Sequence, residues 1–172
     1  MESTLTGSLS VNQLLTLTSG DLNVTGGTLT INSDALGTAY VASYTGGSII
    51  GDVTVERSIA AHRTFRFLAS SLDTSGSINA NWQEGAATAM SNPVPGFGTH
   101  ITGSSTGANG FDQSGGSASM FGYDNVSQAW TAVTNTDVNL LDAGTAYRLF
   151  VRGSRSVDLS SNASPADATV LR

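Results

Sequence analysis

Gly7-Ser8-Leu9-Ser10-Val11, Gly27-Thr28-Leu29-Thr30-Ile31 and Gly47-Ser48-Ile49-Ile50 repeat one another, their glycines 20 residues apart (27 − 7 and 47 − 27). Each runs Gly, then Ser or Thr, then an aliphatic residue, and the first two continue with a polar residue and a second aliphatic. Around them Leu9/Val11, Leu15/Leu17, Leu22/Val24 and Leu29/Ile31 place two aliphatics on one face and Ser, Thr or Asn on the other. Ser19-Gly20-Asp21 and Gly26-Gly27 fall between these pairs as turns. Three short strands per 20-residue turn describe a β-solenoid, a chain coiling in stacked turns with like residues above one another. Leu9, Leu29 and Ile49 are then expected in one column. An antiparallel meander, whose hairpins have similar spacing, is the alternative.

The pattern changes after Val53-Thr54-Val55-Glu56-Arg57-Ser58-Ile59, itself an alternating strand. Arg63-Thr64-Phe65-Arg66-Phe67-Leu68 alternates cation with aromatic, as a strand with one wet face does. Ser77 to Gln83 reads as a short strand or a helical turn. Residues 85–119, rich in Gly, Ser, Ala and Asn and holding Pro93 and Pro95, read as long irregular loops. Met120-Phe121-Gly122-Tyr123 and Ala129-Trp130-Thr131-Ala132-Val133 form a hairpin across residues 124–128. A second hairpin is expected from residues 146–151 and 156–159 across Arg152-Gly153-Ser154-Arg155. No segment keeps a 3.6-residue period over ten positions. The expected fold is all-β: a short β-solenoid, β-helix-like segment over residues 1–58, then an antiparallel β-sandwich over residues 59–172.

Composition narrows the function classes. Charged residues are 12% of the 172, against about 25% in an ordinary soluble domain. All seven basic residues are arginine, and the net charge is −6. That balance argues against nucleic acid, which asks for a basic stripe, and against an anionic membrane surface. No run approaches the ~18 apolar residues of a membrane span. With no cysteine, neither a disulfide framework nor a thiolate metal site exists. Met1-Glu2-Ser3-Thr4 has neither the basic start nor the apolar run of a secretory signal, so a signal is expected upstream in a longer parent.

One resemblance covers residues 45–172. Gly51-Asp52-Val53-Thr54-Val55-Glu56-Arg57, Arg63-Thr64-Phe65-Arg66-Phe67-Leu68 and Asn81-Trp82-Gln83-Glu84-Gly85 appear in order. Residues 92–103 (Asn92-Pro93-Val94-Pro95-Gly96-Phe97 onward), Asn109-Gly110-Phe111-Asp112, Gln128–Val133 and Ala146–Ser156 follow. The series resembles a module of large Bacteroidota surface proteins, exported by type IX secretion, in which it commonly follows β-helical repeats. The resemblance implies a secreted, cell-surface, adhesin-like setting, with neighbouring domains of a larger polypeptide as partners. It implies no catalytic residues.

No catalytic constellation emerges from the residues either. His62 and His100 lack metal-ligand neighbours at i+2 to i+4 and read as hydrogen-bonding side chains. Gly103-Ser104-Ser105-Thr106-Gly107 fits the nucleophile-elbow expression but lies in a Gly/Ser-rich loop, without the buried strand and helix an elbow needs. Glu56, Glu84 and Asp112 are the carboxylates from which a glycosidase pair would be drawn. Glu84 reads instead as the partner of Arg63 or Arg66 in a bidentate pair. Asp112, Asp124 and Asp142 would be the oxygen ligands of a calcium ion, but neither EF-hand nor nonapeptide spacing occurs. No cofactor is expected. Asn23-Val24-Thr25, Asn125-Val126-Ser127 and Asn162-Ala163-Ser164 match the glycosylation sequon.

The expectation is a non-enzymatic structural or adhesive module. Its first alternative is a carbohydrate-binding adhesin domain using Trp82, Phe97, His100, Phe111 and Asp112 in and beside the 92–112 loops. There rings would stack on sugars, and polar groups would hold hydroxyls. Trp130, alternating inside a hairpin strand, is expected as a core anchor. The second alternative is a self-associating fibre subunit joined through exposed solenoid edges.

Overall fold

The computed structural model describes residues 1–43, 45–161 and 165–172, so the Asn162-Ala163-Ser164 sequon lies outside the described residues. The chain is mostly strand with almost no helix. It divides into two compact units, Met1–Ser58 with Arg172, and Ile59–Leu171. Among the described residues no helix is long and apolar enough to cross a membrane.

The first unit is built from parallel pairs. β1 (Glu2–Thr4), β2 (Ser8–Val11), β3 (Leu14–Leu15), β4 (Asp21–Asn23), β5 (Thr28–Ile31), β6 (Tyr40–Val41), β7 (Ile49–Ile50) and β8 (Val53–Val55) make three parallel sheets. Their orders are β1-β4-β7, β2-β5-β8 and β3-β6. Strands that follow one another in sequence therefore lie in different sheets, which rules out the antiparallel meander. Period-two alternation turns Val11, Leu29 and Ile31 inward, where they join Val24 and Ala39 in one core. Outward polar side chains tie one turn of chain to the next. Thr28 Oγ1 donates to Ser8 Oγ at 2.9 Å, and Asn32 Nδ2 to Asn12 Oδ1 at 2.6 Å.

The column is not the expected one. Leu9 pairs with Leu29, but Leu29 pairs with Val53, and Ile49 pairs with Leu22. The interval is 20 residues in the first step (29 − 9) and 24 in the second (53 − 29). Extra residues enter between β5 and β6. There Ser33 bridges Thr38, and Asp34 Oδ1 accepts the amides of Leu36 and Gly37, so a capped turn protrudes. The glycines obey the true register. A Cβ on Gly27 would overlap the carbonyl oxygen of Gly7, whereas a Cβ on Gly47 would overlap that of Gly20. Gly47 is thus a glycine for close backbone approach, but in another column from Gly27.

β9 (Arg57–Ile59) leads into the second unit, which holds β10 (Thr64–Ala69), α1 (Ile78–Trp82), β11 (Thr102–Ser104), β12 (Asp112–Gln113), β13 (Met120–Asp124), β14 (Ala129–Ala132), β15 (Ala146–Val151) and β16 (Thr169–Leu171). A four-stranded antiparallel sheet, β10-β15-β13-β14, is its main element. The expected β13–β14 hairpin forms, its turn closed by Asp124, which accepts from Val126 N and Ser127 Oγ. The second expected hairpin does not. β15 pairs with β10 and β13, and residues 154–160 are turns and bends.

β16 pairs with β9 in a second, two-stranded sheet, which adds Ile59 and Leu171 to the core beneath the four-stranded sheet. The inner face of the four-stranded sheet is also covered by α1, whose amide Ala80 N is capped by Ser77 Oγ, and by the 85–119 loops. Ile78, Trp82, Ile101 and Phe111 from that layer pack with Met120, Tyr147, Leu149 and Val151 from the sheet. Leu29 in the first unit is buried, and Leu36 at the protruding turn is exposed. Leu29→Ala should therefore cost roughly 2–5 kcal/mol, while Leu36→Ala stays within about 0.5 kcal/mol; urea unfolding followed by far-UV circular dichroism separates the two.

Candidate functional site

Of the five residues expected to hold a ligand, four are interior. Trp82 is 6% exposed, Phe111 6%, His100 0% and Asp112 1%; Phe97 is half-buried. A ring needs an open face to stack on a sugar, so Trp82 and Phe111 cannot serve as that platform. Trp82 packs edge-on against Tyr147 at 5.8 Å, as a core anchor does.

His100 and Asp112 do meet, 12 residues apart in sequence, around an arginine that sequence reasoning left in a hairpin turn. Arg155 Nη2 donates to Asp112 Oδ1 at 2.7 Å and Nη1 to Oδ2 at 2.9 Å, a bidentate pair. Its remaining donors reach the carbonyls of Ser91 at 2.8 Å, Thr99 at 3.2 Å and Thr88 at 2.9 Å. All five guanidinium N–H groups are thereby used. Asp112 Oδ2 also accepts from Ile101 N and Gln83 Nε2, and lies 3.2 Å from His100 Nδ1; His100 Nε2 lies 3.0 Å from the Val157 carbonyl. Burial pushes the Asp112 carboxyl up. The hydrogen bonds and charges of His100 and Arg155 outweigh burial and hold it below the ordinary 3.8.

This constellation is closed to solvent, so its chemistry is fastening loops. Its Arg–carboxylate pair joins Asp112 to Arg155. Glu56 is likewise engaged, accepting from Ser33 N at 3.2 Å. Among the described residues no three His, Asp or Glu side chains converge as a metal site.

The open chemistry lies on the outer face of the four-stranded sheet. Opposed residues of an antiparallel pair share a face. Phe65 opposes Phe150, Phe67 and Phe121 both oppose Arg148, and Tyr123 opposes Trp130. Six of the chain's twelve aromatic residues therefore line one face (Trp 2, Tyr 4, Phe 6). Phe67 is 74% exposed; Phe65 and Tyr123 are exposed, and Trp130 is half-buried. Trp130, expected in the core, is thus on the surface. The aromatics of β10 take the open side, while Leu68 packs against the core.

The rings touch in sequence across the strands. Tyr123–Trp130 centroids are 5.1 Å apart, Trp130–Phe67 5.7 Å, Phe65–Phe121 6.2 Å and Phe65–Phe150 5.1 Å. Arg148 sits among them, its guanidinium carbon 4.6 Å from the Phe121 ring centre, 4.8 Å from Phe65 and 5.4 Å from Trp130. Arg152 lies over Phe150 at 4.8 Å. Neither arginine has a carboxylate partner among the described residues, and Arg148 Nε and Arg152 Nη1 are buried without an acceptor. Burial, then the like charge of Arg63, pull the Arg152 guanidinium below its ordinary value, against the opposite charge of Asp112, which raises it. The face is ring-lined and cationic.

No protein-family model, curated protein or solved structure matches this chain.

Removing one member of the buried pair strands the other charge, so Asp112→Asn should destabilise the second unit by about 3–5 kcal/mol. The carboxyl's folded value is depressed, so its stabilisation is present in full above the unfolded value and is lost as pH falls through the folded one. The variant should lack that part of the wild type's acid dependence. Tryptophan fluorescence reads this unit alone, since both tryptophans lie in it.

Proposed function

We propose that the chain is a non-enzymatic structural and adhesive module of a large secreted, cell-surface protein. In this reading the first unit is a short length of β-solenoid, and the second is an all-β domain that binds carbohydrate through its aromatic sheet face. The solenoid reading rests on three parallel sheets whose consecutive strands alternate between sheets, with polar ladders between turns. The adhesive reading rests on one observation above all. Half of the aromatic residues are spent on an open face, where they do nothing for the core.

Exposed aromatic patches mark interaction surfaces, because their hydration is costly and their burial against a partner is favourable. Rings exposed on a sheet face suit the apolar faces of sugars, and no buried acid or base is needed to hold one. The resemblance of residues 45–172 to a module of Bacteroidota surface proteins supports the same setting. The test is a glycan array probed with wild type, Trp130→Ala and Trp82→Ala. Wild type should bind, and Trp130→Ala should lose binding while keeping its unfolding midpoint. Trp82→Ala should lose stability instead. A wild type that binds no glycan, or a folded Trp130→Ala that binds as well as wild type, overturns the reading.

A further inference from the structure

We propose that the ligand of this face is an acidic polysaccharide of the polyuronate class, its carboxylate taken by Arg148 and its sugar rings by the flanking aromatics. The inference rests on the carbohydrate-binding reading and adds the charge of the ligand.

The argument starts from the position of Arg148. An arginine on a sheet face ordinarily finds a carboxylate or reaches into water. Here three rings hold its guanidinium, at 4.6–5.4 Å from its carbon to their centres. Stacking leaves the N–H edges of the planar group as its only hydrogen-bonding direction. No acceptor among the described residues meets them, and Nε is buried without one. The face positions of β10, β13, β14 and β15 hold Phe, Tyr, Trp, Ala and Arg, with no Asp or Glu. A second arginine, Arg152, lies over Phe150 beyond it, but is half-buried and feels the charge of Asp112. Fixed donors without an acceptor are complementary to an anion, and with Nε buried a carboxylate would meet the Nη1/Nη2 end of Arg148.

The spacing selects the class of anion. In a uronate the carboxylate is carried by the sugar ring itself, so the stacking surface and the charge fall within one residue. That matches a guanidinium set directly among rings. In a single-stranded nucleic acid the phosphates run apart from the stacked bases, along a separate basic track. A chain of net charge −6 with seven arginines offers little for such a track. A peptide added as a strand would need an unpaired edge, at β10 or β14, whereas β15, which carries Arg148, is paired on both sides. The overall negative charge also disfavours indiscriminate adhesion to polyanions, so attraction has to come from this face.

The experiment is affinity electrophoresis and calorimetry on the full chain with three probes: polygalacturonate, the same polymer fully methyl-esterified, and a single-stranded oligonucleotide. Polygalacturonate should bind, more weakly as NaCl rises, and its methyl ester should bind at least about tenfold more weakly. Arg148→Met, which removes the charge and keeps much of the volume, should lose roughly tenfold or more toward the acid form only. Phe67→Ala, at the most exposed ring, should weaken both forms without changing the unfolding midpoint. Equal affinity for acid and ester, unmoved by Arg148→Met, overturns the acidic inference and leaves carbohydrate binding standing. Preference for the oligonucleotide, or no binding to either polymer, overturns it as well. Failure on the glycan array too would remove the broader reading.

Discussion

The second unit hangs on the pair between Arg155 and Asp112. Residues 85–119 contain little regular structure and few large apolar side chains, so hydrophobic burial alone would not order them. Backbone entropy of about 1–2 kcal/mol per residue opposes fixing such a stretch. Arg155 answers by binding Thr88, Ser91, Thr99 and Asp112 at once, gathering four points of the loop on one rigid planar group. Once those loops are held, Ile101 and Phe111 face the sheet and close the core from below. A lysine could not substitute. It is a point charge with three donors, whereas this site uses five donors in one plane.

The first unit obeys a different constraint, parallel pairing of short strands 19–27 residues apart in sequence. That much was legible, because period-two alternation and recurring glycines are local signals. Strand identities such as Ser8–Val11 and Thr28–Ile31, and the pairing of Leu9 with Leu29, follow directly from it. The next step was not legible. Gly47-Ser48-Ile49-Ile50 copies the repeat in composition, yet sits over Gly20 and Leu22. A turn that inserts residues between Ile31 and Tyr40 shifts every later position, and a fixed period cannot register an insertion. The clue was Asp34 to Gly37, a turn-forming run where the repeat called for strand.

Alternation in the second unit announced two faces on β10 but not which one is wet. Composition suggests that cations face water and aromatics face the core, and that rule fails here. The ordering of faces is decided by what covers the sheet, and the covering layer is made of loops whose placement depends on Arg155, far away in sequence. The same non-local cause explains why Trp82 and Trp130 exchanged roles. Trp82 lies on a helical turn drawn into the covered side, and Trp130 lies on a strand whose outer side has no cover. The second hairpin failed for this reason too: a partner strand at residues 156–159 would carry Arg155 away from Asp112.

Arginine is used here in two opposed ways, and the contrast separates structure from function. Arg155 has every donor matched and a carboxylate at 2.7 Å, in a site closed to water. Such a group is finished: any further ligand would have to displace a bond already made. Arg148 has rings on its faces and no acceptor at its edges among the described residues, and its Nε is buried. Local rules consistent with a fold predict the first arrangement and penalise the second, through unburied aromatics and an uncompensated charge. A sequence keeps a penalised arrangement where something outside the fold compensates it. The edge of Arg148, bordered by Phe65, Phe121 and Trp130, is the place at which the proposed ligand would bind.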